Sequence, residues 1–298
     1  MSDIAKSPAA RLRDLISSSK TFAVPGIFSP SVALIARDAG FRCLYFSGAG
    51  FSNLLGLPDL GVTTLSEITD AVSKITSKVN LPVMVDADTG FGEALNVSRT
   101  VMELERIGAA AVQIEDQVMP KRCGHLSGKE VVSTEEMVKK IIAARQASKG
   151  IVIIARTDAT AVEGLESAIK RSKLYIKAGA DIIFPDALET NNDFLKFSSH
   201  VKAPLIANMT EFGKTPYLTV KQFSELRYKF VLFPVTAFRA AMKAVEQIFE
   251  EIARKGTQKG FLKKMMTRKE FYDLSDYYSF ERFDKEIERK AKKLTNTN

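Results

Sequence analysis

The stretch LPVMVDADTGFG, residues 81–92, decides the fold. Its core, PVMVDAD (82–88), is a continuous apolar run that ends in two carboxylates. A strand with one wet face alternates apolar and polar residues; a strand buried on both faces does not. The run therefore reads as a strand of a covered, parallel sheet. The TGFG that follows supplies glycines for a tight turn at the strand's C-terminal end.

Seven other segments repeat the pattern: FAVPG (22–26), CLYFSG (43–48), AVQIED (111–116), IVIIART (151–157), DIIFPDA (181–187), PLIANMT (204–210) and KFVLFP (229–234). Amphipathic segments lie between them. SPSVALIARDAG offers Ser29 or Ser31 as N-cap and Gly40 after its end. STEEMVKKIIAARQ spaces Ser133 and Glu136 as a capping box. The phrase "helix, then AG or GA, then strand" recurs at DAGFRCLYF, IGAAAVQI and KAGADIIF. Eight βα units in about 250 residues predict an α/β fold, a (β/α)8 TIM barrel. A doubly wound open sheet is the alternative, but no GxGxxG follows a strand where it would need one. We expect an N-terminal helical segment at 1–20, the barrel at 21–255 and a C-terminal helical arm at 256–298, all in a single domain.

The chain has 298 residues, 45% of them hydrophobic, which suffices for a large core. The two cysteines make no disulfide framework and suit a reducing, cytoplasmic compartment. No signal peptide or membrane span is expected. The net charge is +8, part of it in KEIERKAKKL near the C-terminus. Such a run reads as a solvated helix face, and no nucleic-acid-binding motif accompanies it.

Barrel enzymes carry their chemistry at the C-terminal ends of the strands. Polar residues fall there on strand after strand: Ser47 and Gly48, Asp86 and Asp88, Glu115 and Asp116, Arg156 and Asp158, Asp186, then Asn208, Thr210 and Glu211. Solvated turns explain any one of these. They explain the ring less well, because acids beside buried runs need partners. Asp86 and Asp88 stand two apart, so on one strand they share a face. With Glu115 they form an oxygen-rich cluster suited to Mg²⁺, or to Mn²⁺. Arg156 can fork a substrate carboxylate. Arg239 and Arg268 could do the same, though each alone reads as a surface residue. Ser47-Gly48-Ala49-Gly50 offers backbone N–H groups and a hydroxyl.

PKRCGHLSGK, residues 120–129, interrupts the pattern as a long polar loop of the kind that often forms a lid. It is not a phosphate loop, since its glycine spacing is one residue short. Cys43 opens a strand and reads as a small buried residue. Cys123 differs: Lys121 and Arg122 beside it favour a thiolate, and such a cysteine can give or take a proton. His125 alone carries no assignment, and His200 reads as a helix-end surface residue.

LYFSGAG, LGLPDLG, VDADTGFG, IEDQVMPKRCGH, ARTDA, IFPDA, NMTEFG and FPVTAFRA fall in register with one family. From about residue 8 to about 285 the chain resembles the isocitrate lyase and phosphoenolpyruvate mutase superfamily. The KRCGH motif places the resemblance among its carbon–carbon lyases, since superfamily mutases lack this cysteine. The resemblance implies cleavage of 2-methylisocitrate to pyruvate and succinate, in propionate breakdown. Lyase action on isocitrate or 2,3-dimethylmalate is the alternative, followed by phosphonate mutase chemistry and a non-catalytic barrel.

It further implies Mg²⁺ at Asp86 and Asp88, with Asp59 and Glu115 nearby, largely through waters. Substrate contacts carry over to Ser47, Gly48, Ala49, Cys123, Gly124, His125, Arg156, Asp186, Asn208, Met209, Thr210, Arg239 and Arg268. Cys123, Arg156, Tyr45 and Glu115 are the catalytic candidates, with Cys123 as general acid and Tyr45 as hydroxyl base by position alone. A homotetramer of paired subunits that swap their C-terminal helix is implied, with a small tricarboxylate as ligand and neither nucleic acid nor membrane as partner. Two positions depart from the family: Ala49 stands where Gly is usual, and Asp186 where Glu is usual.

Overall fold

The computed structural model describes residues 6–122 and 128–296. Helix α1 (Pro8–Ser17) comes first. The barrel follows as β1 (Phe22–Ile27), α2 (Pro30–Asp38), β2 (Leu44–Phe46), α3 (Gly48–Leu54), α4 (Leu65–Thr76), β3 (Val83–Asp86), α5 (Ala94–Arg106), β4 (Ala111–Glu115) and α6 (Thr134–Ala147). It continues as β5 (Val152–Thr157), α7 (Ala159–Glu163), α8 (Leu165–Ala178), β6 (Ile182–Pro185), α9 (Asn191–His200), β7 (Ile206–Asn208), α10 (Val220–Glu225), β8 (Phe230–Phe233) and α11 (Thr236–Lys255). Each predicted strand is found, trimmed by a residue or more at most ends.

The eight strands pair in parallel in the order β6-β5-β4-β3-β2-β1-β8-β7. An isolated parallel bridge between Ile183 and Leu205 joins the two outer strands, with Ile183 N donating to Pro204 O at 3.1 Å. The sheet thus closes into a barrel. Ser29, rather than Ser31, caps α2, and Ser133 caps α6 by accepting the Glu136 N–H at 3.1 Å. Gly179 ends α8 in the left-handed region at φ 118°, as the helix-to-strand AG phrase implies.

The two-residue period of the strands sorts the core into two shells. Leu44, Phe46, Val83, Val85, Val112, Ile114, Ile153 and Ala155 face outward against the helices. Tyr45, Met84, Ala111, Val152, Ile154, Ile182, Phe184, Ile206, Phe230 and Leu232 fill the barrel's interior. Leu12 of α1 is fully buried in that same inner cluster, so α1 seals the N-terminal end. On β3, β4, β5 and β7 the inner column then runs from apolar to polar. Met84 is followed two residues on by Asp86, Gln113 by Glu115, Ile154 by Arg156 and Ile206 by Asn208. Apolar packing at the bottom therefore fixes a polar layer at the top.

The described residues form two compact units, 1–240 and 241–298. The divide falls inside α11, not at its end. The second unit contains most of α11, a 3-10 turn (Lys259–Lys264), α12 (Arg268–Leu274) and α13 (Tyr277–Thr295). Tyr272 stacks on Tyr277 with ring centroids 4.3 Å apart, while Phe249, Phe280 and Phe283 are exposed. No helix among the described residues is long and apolar enough to cross a membrane.

Candidate active site

A cavity of about 290 Å³ opens at the C-terminal ends of the strands. Tyr45, Ser47, Ala49, Asp59, Asp86, Arg156, Asp186, Asn208, Thr210 and Arg239 line it, all of them sequence-predicted site residues. Lys121, Arg122 and Asn53 complete its polar lining, and Phe184, Leu232, Pro234, Val235 and Phe238 form an apolar wall.

One side of the cavity is acidic. Asp86 ends β3, and its carboxylate accepts hydrogen bonds from Gly48 N (3.2 Å), Asp88 N (3.2 Å) and Gln113 Nε2 (3.0 Å). A Cβ on Gly48 would sit 3.1 Å from Asp86 Oδ2, so any larger residue there would have to push the carboxylate aside. Two N–H groups expected to be open to ligand are therefore engaged inside the protein. Gly48 N holds Asp86, and Gly50 N donates to Ser47 Oγ at 3.1 Å.

Asp88 does not share a strand face with Asp86, as the two-residue spacing predicts. It lies past the strand with φ 47°, in the left-handed region. That turn nevertheless brings its Oδ1 to 2.9 Å from Lys121 Nζ. Lys121 also hydrogen-bonds Asp59. Its charge is thus shared by two carboxylates of the cavity's acidic side.

Glu115 ends β4 fully buried. Its Oε2 lies 3.4 Å from Arg156 Nε, and its Oε1 has no hydrogen-bond partner among the described residues. Burial pushes its carboxyl well above the usual range, against the pull of Arg156. Burial likewise pushes Asp88 up to about 6, opposed by Lys121 and reinforced by Asp86. Asp59, Asp86, Asp88 and Glu115 thus share too little positive charge. That donor set fits a hard divalent cation. Among the described residues no three of these side chains converge as a metal-holding group.

The other side is cationic. Arg156 donates through Nε to Asp158 at 2.9 Å and through Nη2 to Asp186 at 2.7 Å. Asn208 Nδ2 donates to the other Asp186 oxygen at 2.9 Å, so the shorter Asp186 still reaches both neighbours. Lys129 Nζ donates to Asp158 at 2.8 Å and braces the clamp from behind. Arg239 donates to Glu211 O at 2.6 Å and lies 5.3 Å from the Phe212 ring.

Some expectations land elsewhere. Met209 lies in the outer core and accepts the Leu218 N–H at its sulfur, and it does not line the cavity. Arg268 belongs to the second unit. Cys123, Gly124 and His125 lie outside the described residues. Asp116 points away from the mouth to Thr157 Oγ1 (2.7 Å), Asp158 N (2.9 Å) and the Tyr175 hydroxyl (2.8 Å).

Gln113 is the residue that sequence reasoning missed. The Tyr45 hydroxyl donates to its Oε1 at 2.6 Å, and its Nε2 donates to Asp86. A lone glutamine two residues before Glu115 in an otherwise apolar strand was the available signal. Burial, and then Asp86, push the Tyr45 hydroxyl well above its ordinary pKa.

A parallel barrel with acids and arginines ringed at its strand ends is the architecture of a TIM-barrel enzyme. The chain belongs to the phosphoenolpyruvate phosphomutase family, whose model matches residues 12–253, within the isocitrate lyase and phosphoenolpyruvate mutase superfamily. It is 58% identical to the 2-methylisocitrate lyase of Aeropyrum pernix over 96% of this chain and 93% of that one. Among solved structures it resembles 2,3-dimethylmalate lyase at 33% identity and a TM-score of 0.88, covering 95% and 96% of the two chains. It also resembles phosphonopyruvate hydrolase complexed with oxalate and Mg²⁺ at 31% identity and a TM-score of 0.85, covering 93% and 98%.

Proposed function

We propose that this chain is a Mg²⁺-dependent carbon–carbon lyase that cleaves 2-methylisocitrate to pyruvate and succinate. The observation that carries the reading is the polarity of one cavity. Asp59 and Asp86 lie among its lining residues together with Arg156, Arg239 and an apolar wall. A methylated hydroxy-tricarboxylate has matching parts: a hydroxyl and carboxylate for the acidic side through a cation, further carboxylates for the arginines, and a methyl group for the apolar wall. The similarity to a 2-methylisocitrate lyase along nearly the whole chain supports the same substrate.

A divalent cation at Asp86 and Asp88, with Asp59 and Glu115 nearby, would supply Lewis acidity that lowers the substrate hydroxyl's pKa, and Mn²⁺ would serve in place of Mg²⁺. The chain's own groups do the rest. Gly48 N, Asp88 N and Gln113 hold the Asp86 carboxylate in one orientation. Asp158 and Asp186 grip Arg156 by Nε and Nη2, which sets its plane toward a substrate carboxylate. Arg239, with Asn208 and Thr210, stabilises the charge that develops on the succinate half. Cys123 gives that half its proton. The Tyr45 hydroxyl donates to Gln113, which in turn donates to Asp86, so Tyr45 helps to orient the acid.

The same reading places the enzyme in the cytoplasm, where the thiol stays reduced. It also makes the exposed Phe249, Phe280 and Phe283 of the second unit a contact surface between copies in a homotetramer. A particle of monomer mass by light scattering would sink that assignment.

The test is pyruvate release from 2-methylisocitrate, isocitrate and 2,3-dimethylmalate, each with Mg²⁺ and with a chelator. Turnover should be greatest on 2-methylisocitrate and vanish with the chelator. No release from any of the three sinks the lyase reading. Cys123→Ser should lose about 10²–10⁴-fold in turnover, the usual contribution of a general acid.

A further inference from the structure

Lysine is seldom buried unless it is paired. The Lys121 side chain is 6% exposed and sits against two carboxylates, Asp59 and Asp88, the latter at 2.9 Å. Both belong to the acid set that fits a divalent cation, so the one lysine of this cluster lies where a metal's charge is needed. Its pairing is also incomplete. Burial opposes its charge, but Asp88, Glu115, Asp59 and Asp86 together push its pKa well up. One ammonium among four acids leaves Glu115 Oε1 unpartnered. On the opposite side of the mouth, Asp158 and Asp186 satisfy Arg156, and Lys129 stays on Asp158 at 2.8 Å. The charge deficit is therefore confined to the cluster around Lys121.

We propose that Lys121 is an internal counter-cation that a divalent metal displaces, so that metal loading frees a positive charge for the anionic substrate. The exchange rests on the cation reading given above. It follows from two facts of geometry: Lys121 pairs with Asp59 and Asp88, acids of the proposed cation site, and it also lines the cavity. Before the metal arrives, the ammonium keeps Asp59 and Asp88 from repelling each other. Once those carboxylates face a divalent ion, the ammonium is repelled by it and turns to the cavity's negative ligand. The metal and the anion then favour each other's binding, and the coupling is reciprocal. The metal precedes the substrate.

The experiment is Mn²⁺ binding without substrate, followed by electron paramagnetic resonance. Lys121→Met removes the competitor and should bind Mn²⁺ at least about tenfold more tightly than the unaltered protein. Lys139→Met deletes one exposed charge that is paired with Glu135, and it should leave the affinity unchanged. If Lys121→Met does not fold without metal, Lys121→Gln keeps a long polar side chain and should show the same tightening. Equal or weaker binding by the Lys121 variants overturns the exchange while leaving the metal site standing. Equal tightening by Lys139→Met overturns it too, because the effect would then be general charge. Absence of Mn²⁺ binding in every protein overturns the exchange and the cation reading together.

Discussion

Glu115 and Asp116 are consecutive, both carboxylates, and buried to 1% and 0% exposure. Their surroundings are opposite. Asp116 accepts hydrogen bonds from Thr157, Asp158 N and Tyr175, with Arg171 at 3.7 Å. Glu115 has one ion-pair neighbour at 3.4 Å and an oxygen with no partner. Consecutive strand residues point to opposite faces, so one acid enters the helix-packed shell and the other the barrel mouth. Burial alone therefore does not mark a functional acid. Burial with incomplete pairing does, because an unsatisfied buried charge persists only where something else completes it.

The comparison breaks most visibly at Asp116. Asp116→Ala would leave Arg171, Tyr175, Thr157 and the Asp158 N–H without their shared acceptor. The expected loss is about 3–5 kcal/mol of stability, read from the urea midpoint. A loss under about 1 kcal/mol would mean the network is ornamental.

Glu115→Gln should give the inverse pattern. It removes a charge that burial disfavours, while Arg156 keeps Asp158 and Asp186. The thermal midpoint without metal should not fall, and Mn²⁺ affinity should drop about 10–100-fold. A destabilised variant with intact metal affinity would reverse the roles assigned to the two acids.

The smallest expected effect concerns Cys43. Burial pushes its thiol up to about 12, against a weaker pull from Arg42. A raised thiol pKa favours the folded state below the ordinary value, and that advantage is lost only as the pH climbs through the raised one. In Cys123→Ser protein, Cys43 should therefore resist alkylation between pH 7 and pH 9 (a reagent range chosen around the usual thiol pKa) until the chain is unfolded. Native-state labelling would show a thiolate that burial does not permit.

The barrel and its polar rim were legible because both follow from local periodicity. Period two and continuous apolar runs located the strands, and the ends of those runs located Asp86, Glu115, Arg156 and Asn208. What the sequence could not carry were long-range pairings. Nothing local says that Lys121 meets Asp59 and Asp88, or that Lys129 reaches Asp158. Asp88 was placed in the right mouth for the wrong reason, since a left-handed turn, not a shared strand face, puts it there. Gln113 was legible but overlooked, because one polar residue in VQIED reads as noise until its inward column is drawn.

Helix α1 has a consequence of its own. With Leu12 buried in the inner cluster, the barrel is stoppered at its N-terminal end. The vessel then has a single doorway, and whatever enters must leave by the same route. Two fragments made from one molecule cannot part in opposite directions.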